Sequence, residues 1–271
     1  MHRQPRRGLP LKAAERHQLR KRSFDAGARL YDKFRPGYPE PLFEDLVQLS
    51  GIPEDGRILE IGPGTGLATL PLARRGLSIL GLELGASMAR LCRKNCREFP
   101  KVEIRNTTFE DWEVEPEAFD LVLAATAFHW IPYKNAYPRC VKALKSHGSL
   151  ALLWNFPELP DTKFYHDLHE IYRRLVPRPH LSPPPELRIE RQRKKIVNSG
   201  LFGPVTILCY PWQSEYTADR YIGLLKTMSD HAILAPQVRR NLFRAIRRLI
   251  DDNGGSFVRP VVAVLFLAPK R

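Results

Sequence analysis

Short apolar runs alternate with amphipathic stretches from residue 57 to about residue 156. RILEIG (57–62) reads as a buried strand, and TGLATLPLARRG (65–76) as a helix stopped by Gly76. LSILGLE (77–83), VEIRNTTF (102–109), DLVLAATAF (120–128) and SLALLWNF (149–156) read as further strands. Between them lie helical patterns at ASMARLCRKNCREF (86–99) and through NAYPRCVKAL, where Pro138 is placed to kink the helix. Strand and helix alternating at this spacing predict right-handed crossovers and a parallel sheet covered on both faces.

The alternation breaks after Asn155. FYHDLHEIYRRLV (164–176) predicts an amphipathic helix, followed by a proline-rich turn, PRPHLSPPPEL. Strand-like VTILCYPW (205–212), helical TADRYIGLLKTM (217–228) and helical PQVRRNLFRAIRRLIDD come next, and the strand RPVVAVLFLAPK ends the sequence. Helices inserted between late strands predict a lid over the ends of the sheet. The expected organisation is a basic, flexible arm at 1–22 and one domain over 23–271. Within it, 57–156 forms the core and 157–230 the lid and acceptor-binding elaboration.

Charge adds one feature. Lysine and arginine outnumber the acids 43 to 29, a formal +14 over 271 residues. Residues 1–22 hold eight basic residues against Glu15 alone, so a large part of the excess sits in the arm. Such an arm either grips phosphate backbones or an anionic surface, or is a solvated terminus. No apolar run approaches the roughly 20 residues needed to span a bilayer. Cys92, Cys96, Cys140 and Cys209 form no CxxC pair, and no metal site is expected. A cytoplasmic protein with reduced thiols is the expectation.

The chemistry concentrates in LEIGPGTG, which places Gly62, Gly64 and Gly66 where the first strand turns into the first helix. Glycines there let the backbone turn tightly and approach a ligand, and the helix start offers unpaired N–H groups. The spacing is GxGxG rather than the GxGxxG of dinucleotide binding, and Glu60 precedes it. A carboxylate there repels a pyrophosphate and suits a ligand carrying an ammonium group. Glu83, at the end of the next strand, can accept both hydroxyls of a ribose; the plainer alternative is a cap for the helix starting near Ala86. Together these residues describe a pocket for a ribose-bearing ligand with an amino-acid-like end.

Residues 57–156 resemble the class I S-adenosylmethionine-dependent methyltransferases, with ILEIGPGTG as the cofactor loop and Glu83 as the ribose acid. The resemblance implies an α/β, Rossmann-like fold. Its seven-stranded, mostly parallel sheet has an antiparallel last strand, which RPVVAVLFLAPK would supply. It implies S-adenosyl-L-methionine as cofactor, bound by Glu60, Gly62, Pro63, Gly64, Gly66, Glu83 and Leu84. YDKFRPGYP (31–39) is similar to a segment that folds over the cofactor in the small-molecule branch, which carries Tyr31 and Arg35 over to its methionine end. The alternative there is a proline-braced loop with a surface arginine. The family usually has an acid for the adenine amine where this sequence has Thr108, so recognition passes to backbone groups of Phe109 and Glu110 or a nearby side chain, with Phe109 placed to stack on the ring.

The residues after the fourth strand sort the methyl acceptors. This sequence has ATAF where amino-methylating DNA enzymes resemble [DN]PP[YF], and it has no cysteine nucleophile in the right context. No Asp or Glu stands in residues 121–150, which disfavours polyamine synthases and metal-dependent catechol-type enzymes. AFHW is similar to a motif of the branch containing trans-aconitate-like and ubiquinone-biosynthesis-like methyltransferases. Ala125 and Thr126 are expected beside the methionine portion of the cofactor. His129 either orients an acceptor or caps the strand; a carboxylate acceptor needs no base. The expected function is methyl transfer to a small metabolite, with a carboxylate or hydroxyl acceptor. The alternatives are RNA or an RNA-associated protein, reached through the basic arm, and a cofactor-binding protein without catalysis.

Overall fold

The computed structural model describes residues 25–177 and 183–271. The basic arm of residues 1–22 and part of the proline-rich turn lie outside the described residues. The core strands are β1 (Arg57–Ile61), β2 (Ser78–Leu82), β3 (Val102–Arg105), β4 (Phe119–Ala125) and β5 (Leu144–Pro157), followed by β6 (Thr206–Thr217) and β7 (Ser256–Pro269). They form one seven-stranded sheet in the order β3-β2-β1-β4-β5-β7-β6. The pairs from β3 to β5 are parallel, while β7 runs antiparallel to both β5 and β6. The sheet order reverses beside β1, and the ends of β1 and β4 there form the crevice in which open α/β sheets bind ligands.

Strand alternation divides the core in two. Ile58, Ile79, Leu121, Leu123, Ala151, Leu153 and Leu265 point to one face. Helix α2 (Glu40–Ser50) covers it with Leu42, Phe43 and Leu46, and the short helix α3 (Thr69–Ala73) adds Leu72 and Ala73. Leu59, Leu80, Val122, Leu150, Leu152, Val264 and Phe266 point to the other face, beneath helix α5 (Tyr133–Ala143). At the β3 edge, helix α4 (Ala86–Asn95) packs Ala89 and Cys92 with Cys96 and Ile104. Before the sheet, helix α1 (Ala28–Phe34) leads through Pro36 and Pro39 into α2.

The late helices are α6 (Lys163–Leu175), α7 (Pro185–Asn198), α8 (Ala218–Lys226), α9 (Ser229–Ala232) and α10 (Pro236–Asp252). Leu168 of α6, Leu224 of α8 and Leu242, Ile246 and Ile250 of α10 share a separate core with Tyr216 and Phe257. The helical layer therefore continues to residue 252, past the expected end at 230. Phe34 of α1 fits so closely over Gly223 of α8 that a Cβ there would lie 2.6 Å from the ring.

Several boundaries differ from the sequence reading: β5 begins at Leu144 rather than at 149, β6 runs on to Thr217 rather than to 212, and α4 ends at Asn95 rather than at 99. The helix expected over 65–76 keeps only Thr69–Ala73, because Gly62, Gly64 and Gly66 hold positive φ and spend the segment on turns. The strand expected over 102–109 stops at Arg105, where Asn106 turns the chain and donates to the carbonyls of Glu83 and Leu84. The strand expected to 128 stops at Ala125, since Phe128–Trp130 form a 3₁₀ turn. Helix α7 begins within the proline-rich turn PRPHLSPPPEL and continues through 188–198, a stretch to which the sequence reading assigns no element. Its prolines mark a helix start, with Pro184 at the N-cap and Pro185 in the first turn, a position where the absent N–H costs no hydrogen bond.

At the opposite end of the sheet, the Asp120 side chain is 2% exposed. It accepts from the Arg57 N–H (2.9 Å), Lys145 (2.8 Å) and His147 (3.2 Å). Burial pushes this carboxyl up, but those hydrogen bonds outweigh it and hold it below the ordinary 3.8. Asp120 therefore adds stability at neutral pH that is lost as pH falls through its depressed folded value. Asp120→Ala, which also strands the Arg57 N–H, should cost about 2–3 kcal/mol in urea unfolding at pH 7 and less at pH 3. An equal loss at both values would contradict this account of its charge.

Candidate functional site

Two cavities open at the ends of β1, β2 and β4. The first, of about 120 Å³, lies between the turn after β1 and the turn after β2. Gly62, Gly64, Glu83, Leu84, Thr108, Phe109, Ala125, Thr126 and Tyr31 line it, as do Asp25, Gly85, Met88 and Ile131. The second is larger, about 520 Å³, and is bounded by Arg35, Tyr38, Pro63, His129, Trp154, Phe156 and the inner side of α7. Tyr31, Gly62, Ala125, Thr126 and Trp130 line both cavities, so the two meet there.

Glu83 joins the two turns. One carboxylate oxygen accepts from the Gly64 N–H at 2.9 Å and the other from the Gly85 N–H at 2.7 Å. Charge-assisted bonds of this kind fix the side chain's orientation at the cavity wall. Gly64 takes φ +61°, which an L side chain rarely adopts, and a Cβ on Gly62 would stand 2.7 Å from that of Ala127. Both glycines are thus required by the turn itself. Asp25 accepts from the Ser87 and Met88 N–H groups at the start of α4 and closes the same wall.

Several expected residues lie elsewhere. Along β1, Glu60 shares a face with Ile58, and its 0% exposed carboxylate turns under the loop to accept from Thr69 at 2.7 Å. It lines neither cavity, so direct contact with a ligand's ammonium group is corrected to a place beneath the turn. Gly66 also lines neither; its φ of +98° and its closeness to the Cys92 sulfur serve the packing of α4. Arg35 lines only the second cavity, where it donates to the Thr227 hydroxyl (2.8 Å) and carbonyl (3.1 Å). Pro63 likewise faces only the second cavity. Phe109 reaches the first cavity, yet the residue is 3% exposed and its ring packs against Trp112 and Arg139, so it is not available as a stacking face. Thr108 caps its own turn through Asp111. His129 is exposed in the 3₁₀ turn, with its ring 4.9 Å from that of Trp130, and faces the second cavity.

The junction carries a strained residue. Thr126 has φ +53°, an outlier for a β-branched side chain. Its N–H donates to the Leu153 carbonyl at 2.8 Å, and its hydroxyl pairs with that of Tyr38 at 2.8 Å. Such strain, on the order of 1–3 kcal/mol, clusters at functional sites. Asn155 braces the same region, donating to the Gly37 carbonyl and accepting from the Trp212 indole. Tyr38, Asn155, Asp25 and Asn106 went unremarked in the sequence; only the strand-end positions of Asn155 and Asn106 could have signalled them.

Burial pushes the Glu60 carboxyl up to about 7 from the ordinary 4.5, with Thr69 pulling it down and Glu83 pushing it further up. Between those values the folded protein holds a proton that the unfolded chain has lost. Stability therefore falls as pH rises from about 4.5 towards 7. Glu60→Gln should remove this slope and gain on the order of 3 kcal/mol relative to the parent between pH 5 and pH 8, measured by urea unfolding. A parallel pH dependence in both proteins would show that Glu60 is not the titrating group.

Residues 58–148 match the model of a methyltransferase domain family. An uncharacterized methyltransferase-like protein of Schizosaccharomyces pombe is 32% identical over 139 residues, covering 51% of this chain and 53% of that protein. An uncharacterized methyltransferase of Mycobacterium tuberculosis is 29% identical over 133 residues, 49% of this chain and 52% of its own length. The chain thus spans about half the length of the curated relatives it matches. Phosphoethanolamine N-methyltransferase 2 of Haemonchus contortus, solved with S-adenosyl-L-methionine, has a similar fold with a TM-score of 0.55 and 16% identity. That likeness covers 97% of this chain and 60% of the other. Residues 58–148 are thus similar to a methyltransferase domain, and the sheet order and the glycine turn agree with that likeness.

Proposed function

We propose that the chain transfers a methyl group from S-adenosylmethionine, bound in the first cavity, to a small acceptor bound in the second. The observation that carries this reading is the meeting of the two cavities at Tyr31, Gly62, Ala125, Thr126 and Trp130. The first cavity also fits the cofactor chemically. Among its described lining residues are the acids Asp25, Glu83 and Glu110 and no lysine or arginine. A pyrophosphate would be repelled there, whereas a cationic sulfonium with a ribose suits it.

When bound, the cofactor supplies an electrophilic methyl on sulfur. Glu83 would accept from the ribose hydroxyls while its own orientation is held by the Gly64 and Gly85 N–H groups. The turn at Gly62 and the braced backbone of Thr126 would hold the methionine end at the junction, with Tyr31 above Gly64. Orientation and exclusion of water then carry most of the acceleration. The helices of residues 157–252 would serve as the lid, with His129 and Trp130 at the acceptor's edge. Pro63 and Arg35 would shape the acceptor side. The four free thiols support a reducing, cytoplasmic setting. Among the described residues no helix is long and apolar enough to cross a membrane, and no group of three metal-ligating side chains occurs.

Glu83→Ala should weaken S-adenosylhomocysteine binding by about a hundredfold in calorimetry, and Glu83→Gln by about tenfold. Unchanged affinity in folded variants would remove the ribose assignment. Labelled methyl transfer from S-adenosylmethionine should appear in a small-metabolite extract; label in total RNA alone would favour a nucleic-acid acceptor.

A further inference from the structure

The inner side of α7 sets the chemistry of the second cavity. Arg188, Arg191, Gln192 and Lys195 recur at helical spacing and all face that cavity. Other cations of α7 are neutralised within the helix, since Glu190 pairs with Arg193 at 2.7 Å and with Lys194 at 3.7 Å. Arg188, Arg191 and Lys195 have no carboxylate partner among the described residues. The Arg188 guanidinium lies 4.1 Å from the centroid of the Phe156 ring, and its burial lowers its affinity for a proton. Arg259 faces the same space, and the one acid lining it, Asp230, is engaged by the His231 ring at 2.8 Å.

Arg188 and Arg259 are half-buried, whereas Arg191 and Lys195 are exposed, so the cluster gives the cavity a positive side with one lining acid, and an anion is the ligand charge that complements it. Trp154 and Phe156 border the cavity from the core, nearly fully buried, with the Arg188 guanidinium covering the Phe156 ring. The α7 cations line the second cavity alone, whereas the junction with the first is made by Tyr31, Gly62, Ala125, Thr126 and Trp130. An anion on α7 is thus held away from the junction.

We infer that the acceptor is a small molecule carrying a carboxylate or phosphate. The α7 cations hold this anion as a handle, while a different atom of the same molecule faces the methyl group. The inference rests on the methyltransferase reading and adds to it the acceptor's charge and orientation. It also gives the helix hidden in the proline-rich region a role in specificity.

The test uses the full chain saturated with S-adenosylhomocysteine and follows fluorine NMR titrations of three probes: 4-fluorobenzoate, 4-fluorophenyl phosphate and neutral 4-fluorobenzyl alcohol. At least one anionic probe should bind about tenfold tighter than the alcohol, and the better of the two tells carboxylate from phosphate. Arg188→Gln with Arg191→Gln should erase the preference with S-adenosylhomocysteine affinity unchanged, and Arg188→Lys should retain part of it. Should the double variant unfold, the exposed Lys195→Gln and Arg191→Gln single variants provide the same comparison. Equal binding of charged and neutral probes, or a preference that survives the substitutions, overturns the inference. So does tight binding of a short RNA without binding of either anionic probe. Failure of S-adenosylhomocysteine to bind the parent protein would instead count against the methyltransferase reading itself.

Discussion

The carboxylate of Glu83 ties the turn after β1 to the turn after β2 through two backbone N–H groups, Gly64 on one side and Gly85 on the other. This link joins the two turns across the cleft between them. It requires glycine at 64, where φ is positive, and close approach at 62, where a side chain would collide with Ala127. Asn106 fastens the β2 turn from the β3 side, and Asp25, which precedes α1, holds the start of α4 beside it. The same carboxylate lines the first cavity and is the group that the proposed function assigns to a ribose.

Glu83 and Glu60 share a local electrostatic field but are treated differently by the fold. Glu83 has backbone donors at the cavity wall. Glu60 is sealed beneath the loop with one donor, Thr69, and an oxygen with no partner among the described residues. The acidic first cavity and the cationic second one meet across Thr126, whose strained backbone is held by β5 and Tyr38. In the proposed reading this division of charge gives the sulfonium one cavity and an anion the other, with a neutral junction between them.

The parallel core was legible because its strands are buried on both faces and so read as apolar runs bounded by glycine turns. The positions of Gly62, Gly64, Glu83, Ala125 and Thr126 at strand ends beside the first cavity were legible for the same reason, while their roles toward a ligand are proposals. Residue type alone places Glu60 in the pocket, whereas the period of two along β1 turns its side chain to the α3 face, where Thr69 donates to it. Phe109 was misplaced because an aromatic beside a cleft reads as a stacking surface, although Trp112 and Arg139 claim it for the core. Helix α7 was missed because three successive prolines obscure a helix that begins at the last of them, and its cavity-facing cations were missed with it. Tyr38 and Asn155 act through contacts across the fold, with Thr126 and Gly37, that no local pattern encodes.

The most direct test is a crystal structure of the full chain with S-adenosylhomocysteine. The account predicts the ribose hydroxyls on the Glu83 carboxylate and the homocysteine end at Gly62 and Thr126, with the sulfur facing the second cavity. A ligand bound with its ribose away from Glu83, or with its sulfur turned from the junction, would contradict it.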